Sequence, residues 1–141
     1  MLNTEKDTAA PPASRSCDTM HGKVVLITGG TGGIGRATAE ALACKGATTL
    51  IVGRHRETGE AAVTDIKASS GNSAIAFFPA DISSQDEIRQ LAQSVTARYP
   101  HIHVLINNVG NMQPQHKQTV DGIEMTFALN VLAPFLLTNL L

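Results

Sequence analysis

The feature with the clearest chemical potential is the segment "ITGGTGGIG" at residues 27–35, in which five glycines occupy the last seven positions. Apolar residues precede the glycines, and residues spaced as on one face of a helix follow them. Backbone N–H groups at the start of a helix point outward, and the helix dipole favours an anion there. Glycines let that anion approach the backbone closely. A strand, a glycine loop and a helix in this order predict a site for the phosphate groups of a nucleotide.

Three classes of nucleotide site compete for this loop. A P-loop can be placed on residues 30–35, but Arg36 and Ala37 then stand where a lysine for the phosphates and a hydroxyl for Mg²⁺ are required. A methyl-donor site is expected to end its first strand in an acidic residue, whereas this strand ends in Thr28. A dinucleotide site remains, and two overlapping glycine registers fit it: Gly30, Gly32 and Gly35, or Gly29, Gly33 and Gly35.

Short apolar segments alternate with amphipathic segments and predict the elements that would position this loop. Strands are predicted over residues 23–28, 48–52, 73–79 and 102–107. Gly46 ends the first helix, residues 57–70 form the second, a capping box of Ser84 and Glu87 opens the third, and residues 121–124 open the last. Right-handed crossovers place the strands in the order 3-2-1-4. The predicted fold is α/β, a doubly wound, Rossmann-type parallel sheet that stops after about four strands.

Composition indicates the class and location of the protein. The chain has 141 residues, 11 of them basic and 12 acidic, with no long run of either sign, which argues against nucleic-acid binding. Residues 1–21 lack an apolar signal-peptide core and are rich in Pro, Ser, Thr and Ala, which predicts a disordered leader on a cytoplasmic protein. The uncharged segment 128–141 is shorter than the ~20 residues that cross a bilayer, so no membrane span is expected. Cys17 and Cys44 have no metal or redox spacing and are interpreted as reduced bystanders.

Four motifs in order along the chain carry a resemblance to a known family. They are Thr28-Gly29-x-x-x-Gly33-x-Gly35, Asp81 after the third strand, Asn107-Asn108-Val109-Gly110 after the fourth, and Asn130 in the last helix. With them, residues 22–141 resemble the short-chain dehydrogenase/reductase family, and "VGRHRETGE" and "TVDGIEMTFALNVLAPFLLTNLL" resemble its retinol-dehydrogenase-like branch. The resemblance implies an NAD(P)-binding Rossmann domain, incomplete at its C-terminus, and hydride transfer between a nicotinamide cofactor and a carbonyl or secondary alcohol. It also selects the register Gly29, Gly33 and Gly35, and it implies that positions 30 and 32 are permissive, so that glycine is not required there.

The end of the second strand bears on the choice of cofactor. A site that prefers NAD places a carboxylate about 20 residues past the glycine loop, where it binds the ribose 2′-hydroxyl. This chain has Gly53 and Arg54 there, so no carboxylate repels a 2′-phosphate and a guanidinium is available to bind one. NADP(H) is therefore predicted over NAD(H), with Arg36 and Arg56 as further candidate phosphate contacts. The alternative is that Arg54 is only a solvated loop residue.

The resemblance implies a role for each matching residue. Asp81 would accept a hydrogen bond from the adenine amino group, although it also fits a helix N-cap, and the backbone of Ile82 would complete that pocket. Asn107 would tie neighbouring strands together, while residues 108–110 would pass beside the cofactor ribose, with Val109 in place of the family's usual alanine. The predicted cofactor-binding set is Thr28, Gly29, Thr31, Gly33, Ile34, Gly35, Arg54, Asp81, Ile82, Asn108, Val109 and Gly110.

Catalysis in the family uses an Asn, a Ser and a Tyr-x-x-x-Lys pair, and only the asparagine has a counterpart here, Asn130. Pro134 lacks an N–H, so the Asn130 carbonyl would be free to hold a relay water, unless the proline marks only a helix kink. The single tyrosine, Tyr99, has no lysine four residues beyond it. His101 and His103 share a strand face but have no third ligand, so no metal site is predicted.

Two functional hypotheses follow from these residues. In the first, the chain is the N-terminal, NADP(H)-binding portion of a reductase and does not turn over a carbonyl substrate by itself. In the second, it is a non-catalytic nucleotide-binding or interaction module whose apolar last helix is buried against a partner. The end of the chain at Leu141, within that helix, favours the first. We expect self-association through this helix and the free edge of the fourth strand.

Overall fold

The structure is a computed structural model that describes residues 19–141, so Cys17 and most of the predicted leader lie outside the described residues. Within that range, strands and helices alternate as predicted: β1 (Val24–Thr28), α1 (Gly33–Cys44), β2 (Thr48–Gly53), α2 (Arg56–Ser70), β3 (Ile75–Pro79), α3 (Gln85–Arg98) and β4 (Val104–Ile106). The chain then forms α4 (Met125–Phe127), a π-helical turn (Ala128–Leu132) and α5 (Ala133–Leu140). The alternation places a helix after every strand, as a parallel sheet requires.

The predicted bounds of β4 are wrong, and at the start of the strand a side chain takes the place of one backbone acceptor. β4 has three residues and does not span residues 102–107. The N–H of Val24 donates to His103 Nδ1 at 3.0 Å, so an imidazole and not a strand carbonyl accepts this hydrogen bond. His103 is therefore a structural residue at the start of β4.

The predicted start of the last helix is also wrong. This helix begins at Met125, because the Glu124 carboxylate is its N-cap and accepts hydrogen bonds from Thr126 N at 2.9 Å and Phe127 N at 2.8 Å. These two N–H donors stabilise the charged form of the Glu124 carboxyl and lower its pKa below the usual value. Residues 121–124 precede the helix as a turn and a cap.

The strands form one parallel sheet in the order β3-β2-β1-β4, which confirms the predicted topology. β1 lies between two neighbours, with Leu26 opposite Leu50 of β2 and Leu105 of β4. The carboxyl ends of parallel strands meet at one edge of a sheet. The glycine loop after β1 and the loops after β2, β3 and β4 therefore lie along the same edge.

The apolar run of β1 has no polar alternation because helices cover both faces of the sheet. Leu26 belongs to the cluster that contains the buried side chains of α3 and α5. Val25 and Ile27 belong to the opposite cluster, with the buried side chains of α1 and α2. Both layers of helices are thereby attached to the strand that carries the glycine loop.

One face of the last helical segment is apolar and exposed. Ala133 and Leu137 are buried in the α3 cluster, whereas Phe127, Val131 and Phe135 are 49%, 49% and 66% exposed. These three residues recur every four positions, which places them on one side of the helix. In the part of the chain that the structure describes, none of the helices has the length and apolarity of a membrane span.

Candidate functional site

A cleft of about 390 Å³ opens at the carboxyl-terminal edge of the sheet, where the loops after β1, β2, β3 and β4 meet. Its lining includes seven residues of the predicted cofactor-binding set: Gly29, Thr31, Arg54, Asp81, Ile82, Val109 and Gly110. The remaining predicted site residues do not line the cleft. Thr28 ends β1, residues 33–35 begin α1, Asn108 follows β4 and Asn130 lies in the π-helical turn. The fold thus brings residues from four separate loops to one concave site, as expected at the switch point of such a sheet.

The glycine register chosen from the sequence matches the geometry of the loop. Gly29 and Gly33 have φ values of +69° and +52°, which residues with a Cβ seldom adopt. Gly35 has a different constraint, because a Cβ built there would overlap the Gly29 carbonyl oxygen and lie 2.5 Å from Asn108 Nδ2. α1 can therefore begin directly against the end of β1, with its N-terminus beside the cleft.

The other two glycines of the loop differ from each other. A Cβ on Gly32 would meet no atom within 4 Å, so the prediction that this position is permissive is confirmed. A Cβ on Gly30 would lie 2.6 Å from Ile51 Cγ2, so the same prediction for Gly30 is wrong. The loop crosses over β2, where Gly29 N and Gly30 N donate to Val52 O at 2.9 and 3.2 Å. This contact between distant residues has no signal in the glycine spacing.

Thr28 and Asn108 join the loops after β1 and β4. The Thr28 hydroxyl, which is buried, accepts hydrogen bonds from Asn108 N at 3.0 Å and from Val109 N at 3.1 Å. The Asn108 amide donates to Thr28 O at 3.0 Å. These two side chains position Gly29 and Val109 at the cleft and do not line it themselves.

The role predicted for Asn107 is wrong by one residue. Asn107 is exposed, and its amide donates to Thr138 Oγ1 of α5 at 3.3 Å. The tie between strand ends is made by Asn108 instead. Consecutive residues after a strand point to opposite sides, so a shift of one position exchanges the helix-facing and strand-facing roles.

Gly53 has a packing role that sequence reasoning missed. A Cβ on Gly53 would lie 2.6 Å from Thr31 Cγ2 and 3.1 Å from Thr31 Oγ1. The glycine therefore allows the glycine loop to pass directly over the end of β2. A carboxylate at this position would meet the Thr31 side chain as well as repel a phosphate.

Arg54 is a cation at the cleft that has no partner among the described residues. It is exposed and makes no hydrogen bond or ion pair with the described residues 19–141. The two other arginines predicted as phosphate contacts have carboxylate partners: Arg36 lies 2.8 Å from Asp65, and Arg56 lies 3.3 Å from Glu60. Neither Arg36 nor Arg56 lines the cleft.

The turn after β3 shows how Asp81 is held. Asp81 Oδ1 accepts a hydrogen bond from Ser83 N at 2.9 Å, and Asp81 N donates to Glu87 Oε2 at 2.6 Å. The N-cap of α3 is Ser84, whose hydroxyl accepts from Glu87 N at 3.4 Å, so the N-cap alternative for Asp81 is wrong. The predicted hydrogen bond from Glu87 N to the Ser84 hydroxyl is confirmed. The second bond of the predicted capping box differs, because the Glu87 carboxylate accepts from Asp81 N and not from Ser84 N. Asp81 is therefore fixed at the cleft with one carboxylate oxygen bonded to its own turn.

Asn130 holds the loop that follows β4. Its amide donates to Asn111 O at 2.7 Å and to Thr126 O at 2.8 Å, and its Oδ1 accepts from Asn111 N at 3.2 Å. It lies in the π-helical turn, in which Ala133 N donates to Ala128 O. The helix interruption expected from Pro134 is therefore observed as a π-helical turn just before the proline. The catalytic role of Asn130 stays a prediction, and the structure gives its side chain a positioning role.

Several residues that line the cleft were missed by sequence reasoning. They come from α2, the turn after β3, the loop before α4, α4 itself and the π-helical turn, and include Thr58, Ser83, Asn111, Gln113, Lys117, Met125 and Leu129. The loop residues have no periodicity, so nothing in the sequence indicated that they cover the site. Ile34, in contrast, is 80% exposed and lies in a second groove beside α1 with Met20, Leu42 and Ile106. The roles of Gly33 and Ile34 toward a ligand stay predictions.

Metal-ligating side chains do not gather at the cleft. Residues 19–141 contain no group of three or more His, Cys, Asp or Glu side chains placed to hold a metal ion. His103, half of the predicted histidine pair, accepts the hydrogen bond from Val24 N described above. The chemistry available at the cleft is therefore that of backbone N–H groups, hydroxyls, carboxylates and cations.

Comparison with known proteins identifies relatives of the whole folded region. A sequence model of the short chain dehydrogenase family matches residues 23–141. Human retinol dehydrogenase 11 is 42% identical over 122 residues, which cover 86% of this chain and 38% of that protein. Human polyprenol dehydrogenase is 41% identical over 119 residues, which cover 84% of this chain and 36% of that protein. The chain thus spans about two fifths of the length of these curated relatives.

Solved structures with the same fold include complexes with a dinucleotide. The Pseudomonas aeruginosa RhlG/NADP active-site complex is 30% identical with a TM-score of 0.77, and the match covers 89% of this chain and 49% of that one. A short chain dehydrogenase from Escherichia coli CFT073 complexed with NADPH is 30% identical with a TM-score of 0.75, and the match covers 89% of this chain and 54% of that one. The Rossmann-like architecture is therefore shared across the described sheet.

Proposed function

This chain belongs to the short-chain dehydrogenase family, on its retinol-dehydrogenase-like branch, and from that premise we propose that its cleft binds NADP(H). In the whole protein this site would serve an oxidoreductase that transfers a hydride between the nicotinamide and a carbonyl or alcohol substrate. The observation that carries the choice of NADP(H) is the end of β2, where Arg54 lines the cleft without a partner among residues 19–141 and Gly53 offers no carboxylate. The two neighbours bound to NADP and NADPH support the same choice.

The glycine loop fits the pyrophosphate of such a dinucleotide. The positive φ values of Gly29 and Gly33 turn the backbone at the start of α1, and a Cβ built on Gly33 would meet no atom within 4 Å. Backbone N–H groups and the dipole at the N-terminus of a 12-residue helix favour an anion at this point. Asp81 and Ile82 would then bound the adenine, with Val109 and Gly110 along the ribose on the other side of the cleft.

Hydride donation or acceptance is the chemistry that the dinucleotide supplies when bound, and the described residues hold and orient it. Tyr99 does not line the cleft, and its ring packs against Phe78 with centroids 6.3 Å apart, beside the cluster of α3 and α5. We infer that it is not the proton donor. No other tyrosine occurs in the sequence. We therefore propose that this chain binds NADPH but does not oxidise it with a carbonyl substrate.

Replacing Arg54 with alanine tests the assignment of the 2′-phosphate. The variant is expected to bind NADPH more weakly by about 1–3 kcal/mol, because a charge-assisted hydrogen bond to the phosphate is lost, and to bind NADH as the wild type does. Calorimetric titration with both cofactors measures the two affinities. Arg89 on α3 is exposed and outside the cleft lining, so Arg89→Ala is the matched control. Equal losses for NADPH and NADH would contradict this role of Arg54.

The exposed apolar face of the last helical segment favours a second property, association of the chain with itself. Phe127, Val131 and Phe135 are exposed on that face, and exposed apolar patches mark contact surfaces. We expect sedimentation velocity to show self-association that increases with protein concentration and that Phe135→Asp weakens. Val120 is 86% exposed but lies outside the helices, so Val120→Asp is the control and should leave association unchanged. A strictly monomeric wild type at all concentrations would contradict the expectation.

A further inference from the structure

The loop between β4 and α4 brings a second cation to the cleft. Lys117 lines the same cleft as Arg54, although the two residues come from different loops. The Lys117 side chain is exposed and makes no hydrogen bond or ion pair with the residues that the structure describes. Nothing in the fold of residues 19–141 therefore requires its charge.

The described carboxylates around this loop form no ion pair with Lys117, and each accepts hydrogen bonds from backbone N–H groups. Asp81, Glu87, Asp121 and Glu124 each accept at least one such hydrogen bond, at distances of 2.6–2.9 Å. These five bonds close the turn before α3 or satisfy the first N–H groups of α3 and α4. The acidic groups hold α3, α4 and the turns before them, and the cleft keeps two cations, Arg54 and Lys117, without partners in the described range.

The backbone of Lys117 is held in place while its side chain is free. Lys117 O accepts a hydrogen bond from Met125 N at 2.8 Å, which ties the loop to the start of α4. The next turn is closed by the buried Thr119, whose hydroxyl accepts from Asp121 N at 3.2 Å. Asp121 Oδ2 in turn accepts from Gln85 N of α3 at 2.9 Å. A cation on a braced loop loses little backbone entropy when it binds an anion.

We infer that Lys117 is a second phosphate-binding side chain of the dinucleotide site, acting from the loop before α4 while Arg54 acts from the end of β2. This inference rests on the proposed function, since it needs a dinucleotide in the cleft. The shared chemistry is a phosphate group of the cofactor, which is either the 2′-phosphate or the pyrophosphate. Lysine suits this task as a point charge on a long flexible stem.

The test compares Lys117→Gln with the wild-type chain by calorimetric titration of NADPH and of NADH, at low and moderate salt. We expect Lys117→Gln to bind NADPH about fivefold more weakly or worse, with a shallower dependence of affinity on salt. A loss for NADPH alone identifies the 2′-phosphate as the group bound, and a loss for both cofactors identifies the pyrophosphate. Lys117→Arg keeps the charge and should restore most of the affinity.

Two controls separate this role from a structural one. Lys67 is an exposed lysine in the last turn of α2 and outside the cleft lining, so Lys67→Gln should bind as the wild type does. The thermal unfolding midpoint of Lys117→Gln should match that of the wild type, because the side chain makes no contact that the fold needs. Wild-type affinity of Lys117→Gln for both cofactors would overturn the inference alone. Failure of the wild-type chain to bind either cofactor would overturn the proposed function and this inference with it.

Discussion

Replacing Thr28 with valine is expected to lower the free energy of unfolding by about 2–4 kcal/mol, although the two side chains have nearly the same shape. The Thr28 hydroxyl accepts hydrogen bonds from Asn108 N and Val109 N at 3.0 and 3.1 Å, and the residue is 1% exposed. Valine leaves Val109 N without an acceptor, which costs about 1–3 kcal/mol. Asn108 N loses one of its two acceptors and keeps Ile106 O at 3.0 Å, which adds about 1 kcal/mol. Since these N–H groups hold the loop along the cleft, affinity for NADPH should fall together with stability.

Thr28→Ser is the matched control, because serine keeps the accepting oxygen and loses one methyl group. Its expected cost is about 1 kcal/mol, the value for a buried carbon that is removed. Urea denaturation of both variants gives the two free energies of unfolding. A valine variant as stable as the serine variant, or more stable, would show that the hydroxyl does not join the two loops.

Replacing Gly35 with alanine is the second change with a large expected effect. The new Cβ would overlap the Gly29 carbonyl oxygen, which belongs to the backbone and has little room to move. Overpacking of this kind costs up to about 3 kcal/mol, whereas alanine in a helix is favoured over glycine by about 1 kcal/mol. We therefore expect a net loss of about 2 kcal/mol of stability, with α1 displaced from the end of β1 and NADPH binding weakened.

Gly32→Ala tests whether that effect comes from the contact and not from alanine in the loop as such. A Cβ at Gly32 meets no atom within 4 Å, and Gly32 has an extended backbone with φ of −159°. Its stability should stay within about 0.5 kcal/mol of the wild type, as for a surface substitution. Thermal unfolding and NADPH titration of the two variants provide the comparison, and equal losses at both positions would contradict the close approach at Gly35.

The fold was predictable because local pattern and global topology agree. The uninterrupted aliphatic run of β1 indicated a strand covered on both faces, and the two side-chain clusters on its faces confirm this. The strand order followed from right-handed crossovers, which leave few arrangements for a chain that alternates strands and helices. The bounds of β4 and α4 were less predictable, since side chains of His103 and Glu124 take the place of backbone partners there.

The site was predictable only where short-range spacing decides it. The register Gly29, Gly33 and Gly35 follows from spacing, and it agrees with the positive φ values and the contact at Gly35. The constraint on Gly30 comes from Ile51, a side chain on another strand, and was predicted wrongly for that reason. Asn107 and Asn108 are adjacent and identical in type, so only the structure could show which of them faces β1.

The position of the loop before α4 at the cleft could not be predicted from the sequence, because contacts between residues far apart in the chain determine it. Asn130 holds Asn111 across 19 residues, and Asp121 reaches Gln85 across 36. Neither pair has a motif, and the loop residues between them have no helical or strand period. Lys117 is therefore assigned to the cleft by the fold and not by a sequence pattern.

The most direct measurement of the central claim is the affinity of the wild-type chain for NADPH and for NADH, each determined by isothermal titration calorimetry under the same conditions. Arg54 has no partner among residues 19–141, and Gly53 supplies no carboxylate that would repel a 2′-phosphate. We therefore expect saturable binding of both cofactors, with NADPH bound about tenfold more tightly or better than NADH. Equal affinities, tighter binding of NADH, or no binding of either cofactor would contradict the account.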